Sequence, residues 1–211
     1  MGFVMPEIAI QRVVQQGIDN LRQNTTAFDD IFSQFLTDEL KASYGQDYID
    51  QIKTWFFETT IPVVQSWSYN VNRIPCFSIH LSTDAEDEGK AAVGDHFDNG
   101  AEGTITTGVF TTYIDIGIRS NRNSDQTLWL YYILAYILFK EKRTAEKLGM
   151  QLQTWSASDY QKDTTYQSEN IWTRWVRVRC TTQNFLQQEN FNPVDDLEIT
   201  VTPERVEDID E

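Results

Sequence analysis

One short acidic stretch comes nearest to a spacing that carries chemistry. Asp84, Glu86, Glu88, Gly89 and Asp95 occupy positions one, three, five, six and twelve of an EF-hand-like calcium loop. In such a loop carboxylate and carbonyl oxygens converge on a hard cation, and the glycine permits the sharp turn. The match departs from that pattern in three ways. Glu replaces the shorter Asp or Asn at two positions, Asp replaces the bidentate Glu at position twelve, and a strand-like run precedes it where a helix is needed. The leading expectation is therefore no metal. The acidic set Asp84, Glu86, Asp87, Glu88 and Asp95 then reads as a solvated loop or as an acidic contact or lumen surface, with a calcium-responsive binding module as the alternative.

The remaining reactive types are sparse. His80 falls opposite the apolar face of a strand-like run, with no second ligand at metal spacing, and reads as structural. His96 follows Asp95, an order that suits proton relay in a hydrolase, but it sits in the loop-like part of the chain, and catalytic groups must be held rigidly. Cys76 and Cys180 are far apart with no CxxC spacing, so two buried free thiols are expected, a disulfide being possible only between neighbouring strands. Trp175, Arg177 and Arg179 share one face of a strand. That face resembles a nucleic-acid patch, but no neighbouring basic cluster supports it, and the arginines are expected to pair with acids of this chain or of another copy. The sequence holds no Gly-rich phosphate loop, GxSxG, HExxH or CxxC, and no enzyme and no cofactor are expected.

These residues are positioned by an α+β chain. Its organising element is the stretch from Asn123 to Gly149, centred on the apolar run 128–139. Asn123 and Ser124 suit an N-cap, Lys140, Lys142, Arg143 and Lys147 suit the C-terminal turns, and Gly149 suits a left-handed stop, so one helix is predicted across the whole stretch. It is apolar almost all round in its first half and needs cover on more than one side, from a sheet and from another helix or subunit.

Ahead of it, Ile10, Val13, Val14, Ile18 and Leu21 predict a first helix, in which Gly17 costs about 1 kcal/mol relative to Ala. Asn24 to Thr26 form a break and cap. Phe28 to Leu40 predict a second helix ending near Gly45, and Tyr48, Ile52, Trp55 and Phe56 a third that stops at Pro62. Strands are predicted from Pro75 onward: Cys76–Leu81, Thr104–Arg119, a short one at Met150–Thr154, and Ile171–Thr182, with a long loop over 84–102. In the acidic tail Leu197, Ile199 and Val201 alternate as in a strand that adds to a sheet edge. The expected fold is a mainly antiparallel sheet packed on a long central helix, with N-terminal helices and an acidic C-terminal extension. Residues 1–72, 73–192 and 193–211 are helical part, core and arm of a single domain.

Seventeen Lys and Arg against thirty-two Asp and Glu give a net charge of −15, which repels nucleic acid and anionic membrane. Specific nucleic-acid binding is not expected, nor is membrane association, since the apolar run is too short to span a bilayer. The first residues carry neither a basic n-region nor a myristoylation serine or threonine, so a soluble cytoplasmic product is expected.

From Ile74 to about Leu186 the order of elements resembles the neck proteins of tailed bacteriophages, in particular the tail-terminator class. A strand begins at the Ile74-Pro75 pair. A second, Tyr113-Ile114-Asp115-Ile116-Gly117-Ile118-Arg119-Ser120, alternates apolar residues and ends in Arg and Ser. The helix and an Arg-containing strand follow. The resemblance implies a virion structural protein, assembled in the host cytoplasm, that forms a ring, usually a hexamer. Such a ring caps the tail tube, meets sheath and head-connector proteins, and lets DNA pass through its centre. Another virion role, in the baseplate or as a connector adaptor, is the alternative. On this reading Trp175, Arg177, Arg179, Leu197, Ile199 and Val201 are subunit-contact candidates, and the acidic set faces a lumen or a neighbour.

Overall fold

The computed structural model describes residues 4–33, 37–45, 47–65, 74–86, 95–98, 104–121, 124–159, 161–162 and 171–188. Its elements in order are α1 (Pro6–Gln23), α2 (Thr25–Ile31), α3 (Asp38–Tyr44), α4 (Tyr48–Glu58), β1 (Val63–Gln65), β2 (Cys76–Glu86), β3 (Asp95–Asp98), β4 (Thr104–Ser120), α5 (Ser124–Lys140), α6 (Lys142–Lys147), β5 (Met150–Ala157), β6 (Gln161–Lys162) and β7 (Trp172–Gln188). The sheet runs β1-β2-β4-β7-β5, with β3 alongside β4 and β6 alongside β7. Only β1 and β2 pair in parallel, so the sheet is mixed.

Alternation along the strands divides the sheet into two faces. Phe77, Ile79, Ile114, Ile116, Ile118, Val176, Val178 and Cys180 point to one face and join a single core with Ile10, Val13, Val14 and Ile18 of α1 and Leu130, Ile133, Leu134 and Ile137 of α5. Pro6 opens α1 at its first position, where a missing N–H costs nothing. Asn24 caps α2 by accepting from the Ala27 N–H at 3.3 Å. Helices α1 and α5 approach so closely that a Cβ on Gly17 would fall 2.7 Å from Ile137 Cγ1. The glycine that weakens α1 as an isolated helix is what lets the two backbones meet. At its other end α5 is held by α4: the Trp129 indole N–H donates to the Tyr48 hydroxyl at 2.9 Å, and the Trp129 and Trp55 rings meet edge-on at 5.4 Å. The cover that the apolar helix required thus comes from the sheet, α1 and α4.

Several expectations are corrected. The single helix from Phe28 to Leu40 is two, because Phe32 leaves helical geometry to bury its ring against Phe28, 5.2 Å away, which in turn packs on Phe56 at 5.1 Å. The helix expected from Asn123 to Gly149 breaks at Glu141, whose carboxylate accepts from Asn20 of α1 at 2.7 Å and from Thr144 at 2.6 Å. Its stop is as expected, with Gly149 at φ 81°. A strand, β1, precedes the first predicted one. Alternation predicts Leu81 on the apolar face with Phe77 and Ile79, yet it is exposed, beside an irregularity in β2 between Leu81 and Thr83. The segment 84–102 is not one long loop either. Asp84–Glu86 continue β2, and Asp95–Asp98 form β3 against Thr104–Thr107.

Strands β4 and β7 are 17 residues each and stay paired from Ser120↔Trp172 to Thr104↔Gln188. Beyond Thr182, the partner of Met150, β5 no longer accompanies them. There the sheet narrows to a ribbon of β7, β4 and, on the far side, β3, because β2 reaches Glu86, the partner of Phe110, at the same level as Met150.

Candidate interaction site on the sheet face away from α1 and α5

The second face of the sheet carries Ser78 and His80 from β2, Asp115, Gly117 and Arg119 from β4, and Thr173, Trp175, Arg177 and Arg179 from β7. Cross-strand register sets their meetings: Asp115 stands opposite both His80 and Arg177, Gly117 opposite Ser78 and Trp175, and Arg119 opposite Cys76 and Thr173. Near the helix end of the strands this face is closed. Cys76, Ser78, Arg119 and Thr173 are buried, and Ile74, Cys76 and Ile171 form a small second apolar cluster. Towards the ribbon the face opens into a groove of about 630 Å³ whose lining includes His80, Ser82, Asp115, Ser158, Trp175 and Arg177.

Charges here are paired within the chain. Arg177 grips Asp115 with two hydrogen bonds, Nε to Oδ1 at 2.7 Å and Nη2 to Oδ2 at 2.9 Å, and Nη2 also reaches Ser82 Oγ at 3.3 Å. These bonds hold the Asp115 carboxyl below the ordinary carboxylate range, although partial burial opposes them. Arg119, the largest fully buried side chain, donates to Ser78 Oγ and lies 5.3 Å from the Trp175 ring centroid. Trp175 packs edge-on against His80 at 5.3 Å, and the His80 Nε2 is 3.1 Å from Ser78 Oγ. Burial lowers the His80 pKa, the positive charge of Arg119 lowers it further, and Asp115 pulls the other way, so the imidazole is held neutral. Burial pushes the Cys76 thiol up, against the pull of Arg119. Ser158 bridges strand to strand: its Oγ accepts from the Trp175 N–H at 3.1 Å, and its own N–H donates to the Trp175 carbonyl at 2.9 Å.

The polar groups lining this groove are engaged with one another. Its one carboxylate is neutralised by an arginine, its histidine is turned to a buried serine, and its hydroxyls hydrogen-bond to backbone and guanidinium. Trp175 and Arg177 are both engaged within the chain, while Arg179 stands exposed two residues along the same face. Arg174, absent from the sequence-level candidates, points to the other side, 3.7 Å from the centroid of Tyr131 of α5, and its Nε donates to the Ser158 carbonyl at 2.8 Å. Asp115, Gly117 and Arg119 were legible as one strand face, but their partners were not, because the β4–β7 register is not written in either strand alone.

The acidic set is placed by backbone. Asp84 pairs with Thr112 and Asp95 with Thr107, five residues apart along β4. That separation is about 17 Å at 3.4 Å per residue. A calcium loop needs its first and twelfth residues on one ion at roughly 2.3–2.6 Å, so this register corrects the calcium reading. Asp84 and Glu86 instead lie on β2 ahead of the ribbon, and Asp95 lies on β3 within it. Asp87, Glu88 and Gly89 fall outside the described residues, as do Leu197, Ile199 and Val201 of the tail. His96 pairs with Thr106 in β3. Cys76 and Cys180 are buried free thiols, on β2 and β7 with β4 between them. Among the described residues no group of acids, histidines and cysteines is arranged to hold a metal, and no helix is long and apolar enough to cross a membrane. No protein-family model matches the chain, and no curated protein matches it.

Proposed function

We propose that the chain is a virion structural protein of a tailed-bacteriophage neck, similar to tail terminators. Copies close into a ring, a hexamer in that class, which caps the tail tube below the head connector and lets DNA pass through. On this reading the mainly antiparallel sheet resting on α5 is the body of each copy, and the acidic C-terminal extension reaches a neighbour. The protein acts by fitting its partners, without a reaction or cofactor.

The observation that carries the proposal is the ribbon. Two strands of 17 residues continue past β5. A two- or three-stranded ribbon adds little stability to an isolated subunit, but it gives a neighbouring copy a long edge and face to pack on. The ribbon also carries Asp95, on β3. Together with the net charge of −15, such a surface suits a wall that DNA must slide past without sticking. The groove beside Trp175 and the exposed Arg179 supply a second contact surface of the mixed aromatic and arginine kind common at subunit interfaces.

Native mass spectrometry and negative-stain microscopy of the purified chain at high concentration test the proposal, with addition to purified tails as the functional arm. Closed rings of about six copies that bind tail ends are expected. A strictly monomeric chain that also fails to join tails overturns it.

A further inference from the structure

The outer strand on the β7 side of the sheet is β5, whose neighbour among the described residues is β7 alone. Between this strand and the α5–α6 junction lies a groove of about 350 Å³ lined by Leu138, Phe139, Lys142, Leu152, Trp155 and Val178. Phe139 is 72% exposed, with its ring edge-on to Trp155 at 6.2 Å. A large aromatic ring standing in water beside an apolar groove marks a contact surface. One cation, Lys142, lines the groove. Lys140, Arg143 and Lys147 are exposed on the adjoining helical turns, so four of the seventeen cations in a chain of net charge −15 fall within eight residues. Of the acids among them, Glu141 is bound to Asn20 and Thr144, and Glu146 is exposed.

An apolar groove that holds Lys142, with further cations on the adjoining turns and a sheet edge beside it, fits an extended acidic segment with apolar residues at alternate positions. The sequence contains one: Asp195-Asp196-Leu197-Glu198-Ile199-Thr200-Val201. We propose that this segment of a second copy adds to the β5 edge and fills the groove, its main chain pairing with the strand and its acids meeting Lys142 and the cations of the adjoining turns. Chain length favours a second copy over the same one. Leu152 pairs with Cys180, and β7 runs eight residues further, to Gln188. To bring Leu197 beside Leu152, the same chain would have to return about 27 Å and cross about two strand spacings, roughly 29 Å in all. The nine steps from 188 to 197 reach about 30–32 Å fully stretched, which leaves only about 1–3 Å for the reversal of direction. A neighbour is under no such limit, and an arm-to-edge contact is of the head-to-tail kind that closes rings.

The inference rests on the assembly proposed above in needing a second copy. It is tested on the full-length chain carrying Ile199→p-benzoylphenylalanine, prepared in isotopically heavy and light forms, mixed and irradiated. Heavy–light pairs joined to peptides within residues 138–155 are expected, with at least a fivefold loss when Lys142→Glu and Arg143→Glu are introduced. Products within one isotope only, or joined elsewhere, overturn the inference. Native mass spectrometry of Ile199→Asp/Val201→Asp separates it from the ring proposal. Rings that persist in this variant overturn the arm contact and leave the ring intact. Heavy–light products at the groove from open chains of copies support the arm contact and overturn the ring.

Discussion

Gly117 and Trp175 face one another across β4 and β7, and the six-membered ring of Trp175 occupies the space that a side chain at 117 would need. A Cβ there would lie 3.0 Å from Trp175 Cζ3, 3.2 Å from Cη2 and 2.6 Å from Ser78 Oγ. The missing side chain lets the indole settle against Arg119 and His80, so one glycine shapes the floor of the groove.

Gly117→Ala is therefore expected to push the Trp175 ring outward and to cost about 1–3 kcal/mol, the usual penalty for overfilling a packed site. Near-UV circular dichroism and thermal melts would read it, with Trp175→Phe identifying the indole's share of the signal. A variant with unchanged spectrum and melting temperature would show that the ring does not depend on the gap.

Gly17 makes a similar argument inside the core. In an isolated helix Gly17→Ala should stabilise by about 1 kcal/mol. Here the added methyl meets the branched side chain of Ile137, so the substitution is expected to lower stability or leave it unimproved. In an Ile137→Ala background the contacts with Cγ1 and Cγ2 are gone and only the approach to Cβ at 3.0 Å remains, so the same change should be markedly less unfavourable. A double-mutant cycle by urea denaturation would reveal that coupling, and simple additivity would refute it.

His80 gives the protein a pH signature of definite sign. Its folded pKa lies below the ordinary value of 6.5, through burial and then the charge of Arg119. Its contribution to stability is full above 6.5. As the pH falls below 6.5, the unfolded chain takes up a proton that the folded chain refuses, so stability drops until the folded pKa is passed. Melting temperatures from pH 7.5 to 5.5 should fall more steeply for the natural chain than for His80→Gln. Parallel curves would mean that the ring is not held neutral.

The Asp115–Arg177 pair should be worth little despite its good geometry. The Arg177 side chain is 55% exposed and that of Asp115 is 21% exposed, and pairs open to solvent typically couple by about 0.2–1 kcal/mol. A cycle with Asp115→Asn and Arg177→Gln should return a coupling in that range at neutral pH. Because the folded carboxyl is held below its ordinary 3.8, the coupling should persist above 3.8 and vanish as the pH falls through the folded value. Arg177→Lys should lose most of it, since an ammonium cannot make the two-pronged contact.

Much of this protein was legible as local pattern. The alternation of Ile114, Ile116 and Ile118, the helical spacing of Ile10, Val13 and Val14, and the positive φ of Gly149 follow from periodicity and backbone sterics, which act within a few residues. The α+β class followed from these elements. What the chain did with Glu141, Phe32 and the acidic segment did not follow, because each meets something distant: Asn20 donates to the Glu141 carboxylate at the α5–α6 break, Phe56 packs on the Phe28 ring that Phe32 also meets, and Thr104–Thr107 pair β3. The site shows the same division. Alternation placed Trp175, Arg177 and Arg179 on one face, but only the register of β4 against β7 could supply Gly117 as the gap for Trp175 and Asp115 as the partner of Arg177. Side-chain direction is set residue by residue, whereas the neighbour a side chain meets depends on which strands pair and at what offset, and that is a property of the assembled sheet.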